Sequence, residues 1–196
     1  MGKSNKDHGL LIVLCGPSGV GKSTISNMMR ERLNVAYIVS ATTRPKKPGD
    51  EIGKEYDHIS REEFFKRLEN DDFLEYAQVY DDYYGTPKYP ALNYLFEGKD
   101  VLLEIDIQGA LQIRYQYPEA LLIFLLPPDG PTLRQRLTDR GRDRPEDIEK
   151  RFRAARREIQ MAKGSRIFDN MVINDRLDRA LDEITKIIQS ERTGGL

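Results

Sequence analysis

Short runs that are apolar at every position alternate along the chain with stretches in which apolar residues recur every three or four positions. Strands buried on both faces lose the usual in-out alternation, so this pattern predicts a parallel sheet covered by helices on both sides. The predicted strands are Leu10–Cys15, Ala36–Val39, Val101–Asp106, Leu121–Leu126 and Asn170–Ile173. Helices are predicted near Lys22–Arg32, Ile107–Tyr115, Thr132–Arg140, Pro145–Met161 and Leu177–Ser190, with Pro131 and Pro145 at starts, where a missing N–H costs nothing. One stretch breaks the alternation. From Ser40 to Tyr84 the chain is polar, aromatic and rich in turn residues, with a short helix near Arg61–Glu69 whose Phe64, Phe65 and Leu68 share a face.

Between the first predicted strand and the first helix lies Gly16-Pro17-Ser18-Gly19-Val20-Gly21-Lys22-Ser23-Thr24. This G-x-x-x-x-G-K-[ST] spacing is a P-loop: its glycines let backbone N–H groups turn inward around phosphate oxygens. Lys22 then neutralises the outer phosphates, Ser23 offers a hydroxyl to a magnesium ion, and the helix that follows directs its positive end at the same anion. A strand before and a helix after are the context the motif requires. The insertion between Ser40 and Tyr84 suits an acceptor site facing that loop.

The chain has 196 residues, enough for one domain with inserted lobes. Its net charge of −1 gives no global field for nucleic acid or an anionic membrane. The charges are nevertheless segregated. From Asp50 to Asp82 there are 12 acidic and 4 basic residues, and from Gly130 to Arg166 there are 12 basic and 6 acidic. Cys15 is the only cysteine and reads as a small buried side chain, which excludes an internal disulfide and a thiolate metal cluster. No apolar stretch reaches the roughly 18 residues of a membrane span. The expectation is a cytoplasmic protein acting on small molecules, without nucleic acid or membrane as partner, as a monomer or homodimer.

Val101–Asp106 is an apolar strand ending in an acid, the usual partner of a P-loop. Glu104 and Asp106, two apart, are expected on one face of that strand, where a buried pair must meet a cation or hydrogen-bond donors. In the basic segment Arg136 and Arg140 lie four apart on one helical face. After the turn at Gly141 a second helix carries Ile148, Phe152, Ala155 and Ile159 as its apolar side, with Arg151 beside them. A helical hairpin with inward arginines is what a closing lid needs to exclude water and stabilise a phosphoryl group in flight. Arg142, Arg144, Arg153, Arg156 and Arg157 read as solvated or locally paired.

With these segments in order the chain resembles the guanylate kinases. The resemblance runs from Leu11 to about Ile188 and rests on Gly16–Thr24, Ser40-Ala41-Thr42-Thr43-Arg44, Gly53-Lys54-Glu55-Tyr56, Phe73-Leu74-Glu75-Tyr76-Ala77, Asp82-Tyr83-Tyr84-Gly85-Thr86, Glu104-Ile105-Asp106-Ile107-Gln108-Gly109, Arg140-Gly141-Arg142 and Val172-Ile173-Asn174-Asp175. It implies an α/β fold with a P-loop NTPase-type parallel sheet, an inserted mixed α+β GMP-binding lobe at about 40–86 and a helical lid at about 134–160. The core would comprise 10–39, 100–130 and 168–190, all in one domain.

It also implies the reaction ATP + GMP giving ADP + GDP with Mg²⁺, a step of guanine nucleotide metabolism. Guanine presents two adjacent donors, N1–H and the 2-amine, and Glu75 matches the carboxylate that accepts from both. Ser40 and Thr86 are similar to the hydroxyls that complete the purine contacts. Arg44, Tyr56 and Tyr84 match the phosphate cradle, and Glu104 and Asp106 border it. After Arg44 the sequence departs from the family: Lys47 stands where a second phosphate-binding arginine is expected, with Lys46 as its alternative, and lysine lacks the planar fork. The ATP base is assigned to a pocket near Asn174, the metal to Ser23 and Asp106, and Arg136, Arg140 and Arg151 to the transferring phosphate beside Lys22 and Arg44.

The acceptor is a phosphate monoester with a second pKa of about 6, so it is already a nucleophile near neutral pH and needs no general base. His8, in a polar tail, and His58, expected to be exposed, accordingly have no catalytic place. Two alternatives share parts of this pattern: a catalytically inactive guanylate-kinase-like module that binds a phosphorylated partner, and a related sugar-phosphate kinase. The intact P-loop argues against the first, and Glu75 with Tyr84 against the second.

Overall fold

The computed structural model describes residues 8–46, 56–139 and 144–193. Five parallel strands form the core sheet: β1 (Leu11–Cys15), β2 (Ala36–Tyr37), β7 (Val101–Glu104), β8 (Leu121–Leu126) and β9 (Asn170–Ile173), in the order β2-β7-β1-β8-β9. Pairing is in register with the apolar runs, Leu11 beside Val101 and Ile12 beside Leu121. Odd and even positions of β1 feed opposite faces. Leu11, Val13 and Cys15 pack with Leu122, Phe124 and Ile113, whereas Ile12 and Leu14 pack with Ile25, Met29, Ala180 and Ile184. The first face is covered by α3 (Lys88–Phe96), α4 (Ile107–Gln116) and α6 (Pro145–Ser165), and the second by α1 (Lys22–Leu33) and α7 (Leu177–Thr193). Cys15 is buried, and burial pushes its thiol pKa far up, so it serves as a packing residue.

The stretch that breaks the alternation forms a second sheet, ordered β4-β3-β6-β5. Its strands are β3 (Ala41–Thr42), β4 (Asp57–His58), β5 (Phe73–Val79) and β6 (Asp82–Pro87). Phe64 of α2 (Arg61–Glu69) packs on Ala41 and Phe73, with Leu68 and Tyr83 at the margin. Ser60 caps α2 by accepting from the Glu63 N–H at 3.0 Å. The β5–β6 hairpin turns at Tyr80, whose φ of 57° lies in the left-handed region. Periodicity alone predicts neither this hairpin nor α3, in which Pro90 sits within the first turn, where its absent N–H is harmless.

Two boundaries differ from the predicted ones in ways that matter to the site. The strand expected to reach Asp106 ends at Glu104, because Asp106 caps α4. The helix expected at Thr132 begins earlier, as α5 (Gly130–Asp139). Leu133 and Leu137 of α5 pack against Ala155 of α6, flanked by Ile148, Phe152 and Ile159, which gives the helical hairpin a small core of its own. Among the described residues no helix is long and apolar enough to cross a membrane.

The starts of β1 and β7 are tied by a buried acid. Asp100, 6 % exposed, accepts from the Leu10 N–H at 2.9 Å and from Arg192 of α7 at 3.0 Å. Asp100→Ala leaves that amide without its acceptor and should lower unfolding free energy by about 1–3 kcal/mol in urea titration; a change below about 0.5 kcal/mol would show that the tie contributes nothing.

Candidate active site

The C-terminal ends of parallel strands lie together at one sheet edge, and here those of β1 and β7 open onto a shared cavity. The P-loop leaves β1 at Gly16 and enters α1 at Lys22. Gly21, the N-cap, has φ 98°, and a Cβ there would come within 2.6 Å of Asn174 Nδ2, so no other residue fits. No acidic residue and no side-chain cap occupy the first turn of α1, which leaves its N–H groups facing outward for an anion. Lys22 folds back over the loop, donating to the carbonyls of Gly16 and, at 3.4 Å, Pro17.

Three side chains brace the loop from outside. Asn174, 1 % exposed, donates through Nδ2 to the Val20 carbonyl at 2.8 Å. Arg136 donates to the Asn174 carbonyl at 3.0 Å and to the Val20 carbonyl at 3.4 Å. Arg151 reaches across from α6 to the Ser18 hydroxyl at 2.6 Å. Asn174, expected beside the ATP base, therefore lies beneath the P-loop and does not line the cavity. Val20 is buried under the loop and Thr24 is exposed on α1.

The two acids of the β7 terminus have separate work. Glu104 accepts from the Ser23 hydroxyl at 2.7 Å. Asp106 caps α4, its Oδ1 accepting from the N–H groups of Gln108 and Gly109 at 2.9 and 3.0 Å and its Oδ2 from Gln108 Nε2 at 3.1 Å, which leaves Oδ2 a further lone pair. The expectation that both project from one strand face is corrected by the end of the strand between them. Both still line the cavity, which measures about 1080 Å³.

Across that cavity stands the second sheet. Glu75 of β5, 4 % exposed, accepts from the Thr86 hydroxyl, and Thr86 Oγ1 lies 3.4 Å from Ser40 Oγ. Burial pushes the Glu75 carboxyl up to about 7, against the stabilising Thr86 hydroxyl and with the added repulsion of Asp106. Arg44 sits 5.6 Å from the centre of the Tyr56 ring, and Tyr56 meets Tyr84 edge-on at 5.4 Å. Burial raises the Tyr84 phenol further above its ordinary value, so it remains a donor. His58 is half-buried, contrary to the exposed position expected for it, with Nδ1 2.7 Å from the Arg44 carbonyl. Lys47 and Arg140 lie outside the described residues, as do 53–55 and 141–143; Lys46 lines the cavity.

One cavity residue was not legible from motifs. Glu158, half-buried on α6, faces Lys22 and Asp106, and burial pushes it up to about 7 although Lys22 draws it down. Its position two turns beyond Arg151 and one beyond Ala154, on the side of α6 turned to the cavity, is the signal that could have found it.

A P-loop closed by a basic helical hairpin, facing a buried carboxylate and an Arg–Tyr–Tyr cluster, defines the class of P-loop phosphotransferases acting on a small acceptor. Comparison with known proteins narrows the class. The guanylate kinase family model matches residues 8–191. A guanylate kinase of Caldanaerobacter subterraneus subsp. tengcongensis is 47% identical over 96% of this chain and 91% of its own. One from Gloeobacter violaceus is 46% identical over 92% of this chain and 87% of its own. The crystal structure of guanylate kinase from Anaplasma phagocytophilum superposes with a TM-score of 0.79 at 29% identity, covering 95% of this chain and 88% of that one. The chain belongs to the guanylate kinase family.

The Glu75 shift has a thermodynamic sign. The folded protein holds the Glu75 proton until about pH 7 and the unfolded chain releases it near 4.5, so stability falls as pH rises between those values. Glu75→Gln removes that loss. At pH 8 the ligand-free variant should be more stable than wild type by up to about 3 kcal/mol, and at pH 4 nearly equal, in urea titrations at both pH values. A variant less stable than wild type at pH 8 would contradict the assigned shift.

Proposed function

We propose a division of labour among the residues of this cavity by which the protein moves the γ-phosphoryl group of ATP to GMP, giving ADP and GDP. A GMP phosphate oxygen attacks the γ-phosphorus while the bond to the ADP oxygen breaks, so no proton need leave the nucleophile once it is the dianion. The barrier is then dominated by bringing two anions into line. Lys22 and the α1 N-terminus hold the outer phosphates of ATP within Gly16–Thr24. Arg151, which lines the cavity and donates to Ser18, and Arg136, which donates to the Val20 carbonyl of the P-loop, are assigned to the transferring phosphate, and the family resemblance assigns Arg140 to it as well.

Arg44, Tyr56 and Tyr84 cradle the GMP phosphate: the guanidinium supplies charge and the phenols supply donors without adding any. The family resemblance assigns Lys47 to the same phosphate, with Lys46, which lines the cavity, as its alternative. Glu75 reads the guanine edge, with Thr86 and Ser40 fixing its orientation. Asn174 serves the ATP side by holding the P-loop backbone. The donor set at the end of β7 fits a hard divalent ion: the Ser23 hydroxyl and the Asp106 and Glu104 carboxylates are all oxygens, and Mg²⁺ binds through few protein oxygens, sharing the rest with phosphate and water. Bound there, Mg²⁺ would neutralise phosphate charge. The work is placed in the cytoplasm, where both nucleotides occur.

The observation that carries this reading is the buried Glu75 facing a P-loop across one cavity. Guanine offers the buried carboxylate two parallel N–H donors in one rigid plane, a match that the splayed hydroxyls of a sugar phosphate do not make, and a binding module has no use for the intact loop.

Release of ADP, measured with Mg²⁺-ATP and GMP, AMP, CMP or UMP in turn, tests it. GMP alone should support fast turnover, and equal rates with AMP would contradict the role of Glu75. Lys22→Ala and Arg151→Ala should each lower kcat on the order of 10³-fold; a loss under tenfold in either removes that residue from the transfer step.

A further inference from the structure

β5 is an edge strand. β6 pairs with one side of it, and the outward N–H and C=O groups of alternate residues meet no neighbouring strand. α4 answers them with side chains. Gln112 accepts from the Tyr76 N–H at 3.2 Å and donates to the Tyr76 carbonyl at 2.5 Å, and Gln108 donates to the Gln78 carbonyl at 3.1 Å. The match is geometric: four helical residues advance about 6 Å and two strand residues about 6.7 Å. Two glutamines one turn apart can therefore follow a strand edge as a short antiparallel strand would.

Between them lies Gly109. A Cβ at this position would fall 2.1 Å from Glu75 Oε2, so only glycine lets the helix approach so closely. The Glu75 carboxylate is thereby confined, one oxygen taking the Thr86 hydroxyl and the other resting against the α4 backbone. The Gly109 N–H is occupied by Asp106, so α4 limits where the carboxylate can go without consuming its acceptor capacity. The N-cap of the same helix lies two residues after Glu104, which holds Ser23 of the P-loop.

We propose that Gln108, Gly109 and Gln112 are positioning residues for base selection. α4 acts as a surrogate strand that sets the register of β5 against the core, and so fixes the Glu75 carboxylate at the place where the guanine edge must arrive. This inference rests on the reading of Glu75 as the guanine-binding group, and its test separates the two.

The test compares kcat and KM for GMP and for IMP, which lacks the 2-amine, in wild type, Glu75→Gln, Gly109→Ala, Gln112→Leu and Gln112→Glu. Wild type should favour GMP strongly. Gln112→Leu should shrink the GMP-over-IMP ratio about tenfold, through KM for GMP, with KM for ATP unchanged. Gln112→Glu, which still accepts from Tyr76 N–H, should recover part of that loss. Gly109→Ala should cost as much selectivity as Glu75→Gln, and the half-buried Gln112 carries the test if Gly109→Ala does not fold. A ratio lost in Glu75→Gln but intact in folded Gln112→Leu overturns the positioning role alone. A ratio intact in Glu75→Gln overturns the reading of Glu75, and the positioning role with it.

Discussion

Donor and acceptor both arrive in this cavity as phosphate anions, and their mutual repulsion is the constraint around which the chain is built. Two anions a few ångströms apart in a partly desolvated space repel by several kcal/mol, and only fixed positive charge and oriented donors can offset that without reorganising during the reaction. The fold places those donors by topology. A parallel sheet gathers the P-loop, the Glu104–Asp106 turn and Asn174 at one edge, and the basic α5–α6 hairpin and the Arg44 cluster approach the same space from two sides. The positive groups are held against the loop by hydrogen bonds: Lys22 on the loop carbonyls, Arg136 on Val20 and Asn174, Arg151 on Ser18.

The site is also where stability is given up. Glu75 and Glu158 are carboxyls pushed up to about 7 by burial, which means that the folded protein holds each ionised form at a cost. The core compensates elsewhere, in two apolar layers on either face of the sheet and in the Asp100 tie to α7. On the proposed role of Glu75, a carboxylate that is costly to bury and would be repaid by two donors of one base suits discrimination, because a ligand lacking those donors would leave the cost standing.

Much of this was legible in the sequence, for definite reasons. Runs such as Leu10–Cys15 and Leu121–Leu126 lack alternation because both faces of the parallel sheet are covered, and all five core strands were found within two residues at each end. The P-loop was legible because its chemistry requires particular residues at particular spacings. The second sheet was not. β3 and β4 are two residues each, and the β5–β6 hairpin turns on Tyr80 and Asp81 without the glycine that marks most tight hairpins. The separation of Glu104 from Asp106 could not be read from spacing, since Asp106 is at once the end of an apolar run and an N-cap. Glu158, Gln108 and Gln112 sit on helix faces where polar residues are ordinary, and only the tertiary contact distinguishes them.

The central claim is that an acid kept largely protonated by burial becomes the acceptor for guanine, so GMP binding must expel its proton near neutral pH. Calorimetric titration of GMP at pH 6.5, in buffers of different ionisation enthalpy, counts the protons released by wild type and by Glu75→Gln. The difference isolates Glu75 from the titration of the GMP phosphate. We predict that wild type releases over half a proton more per GMP than Glu75→Gln does, as a group with a pKa of about 7 must when it ionises. Equal proton release by the two proteins would show that Glu75 does not take up the guanine edge as a carboxylate.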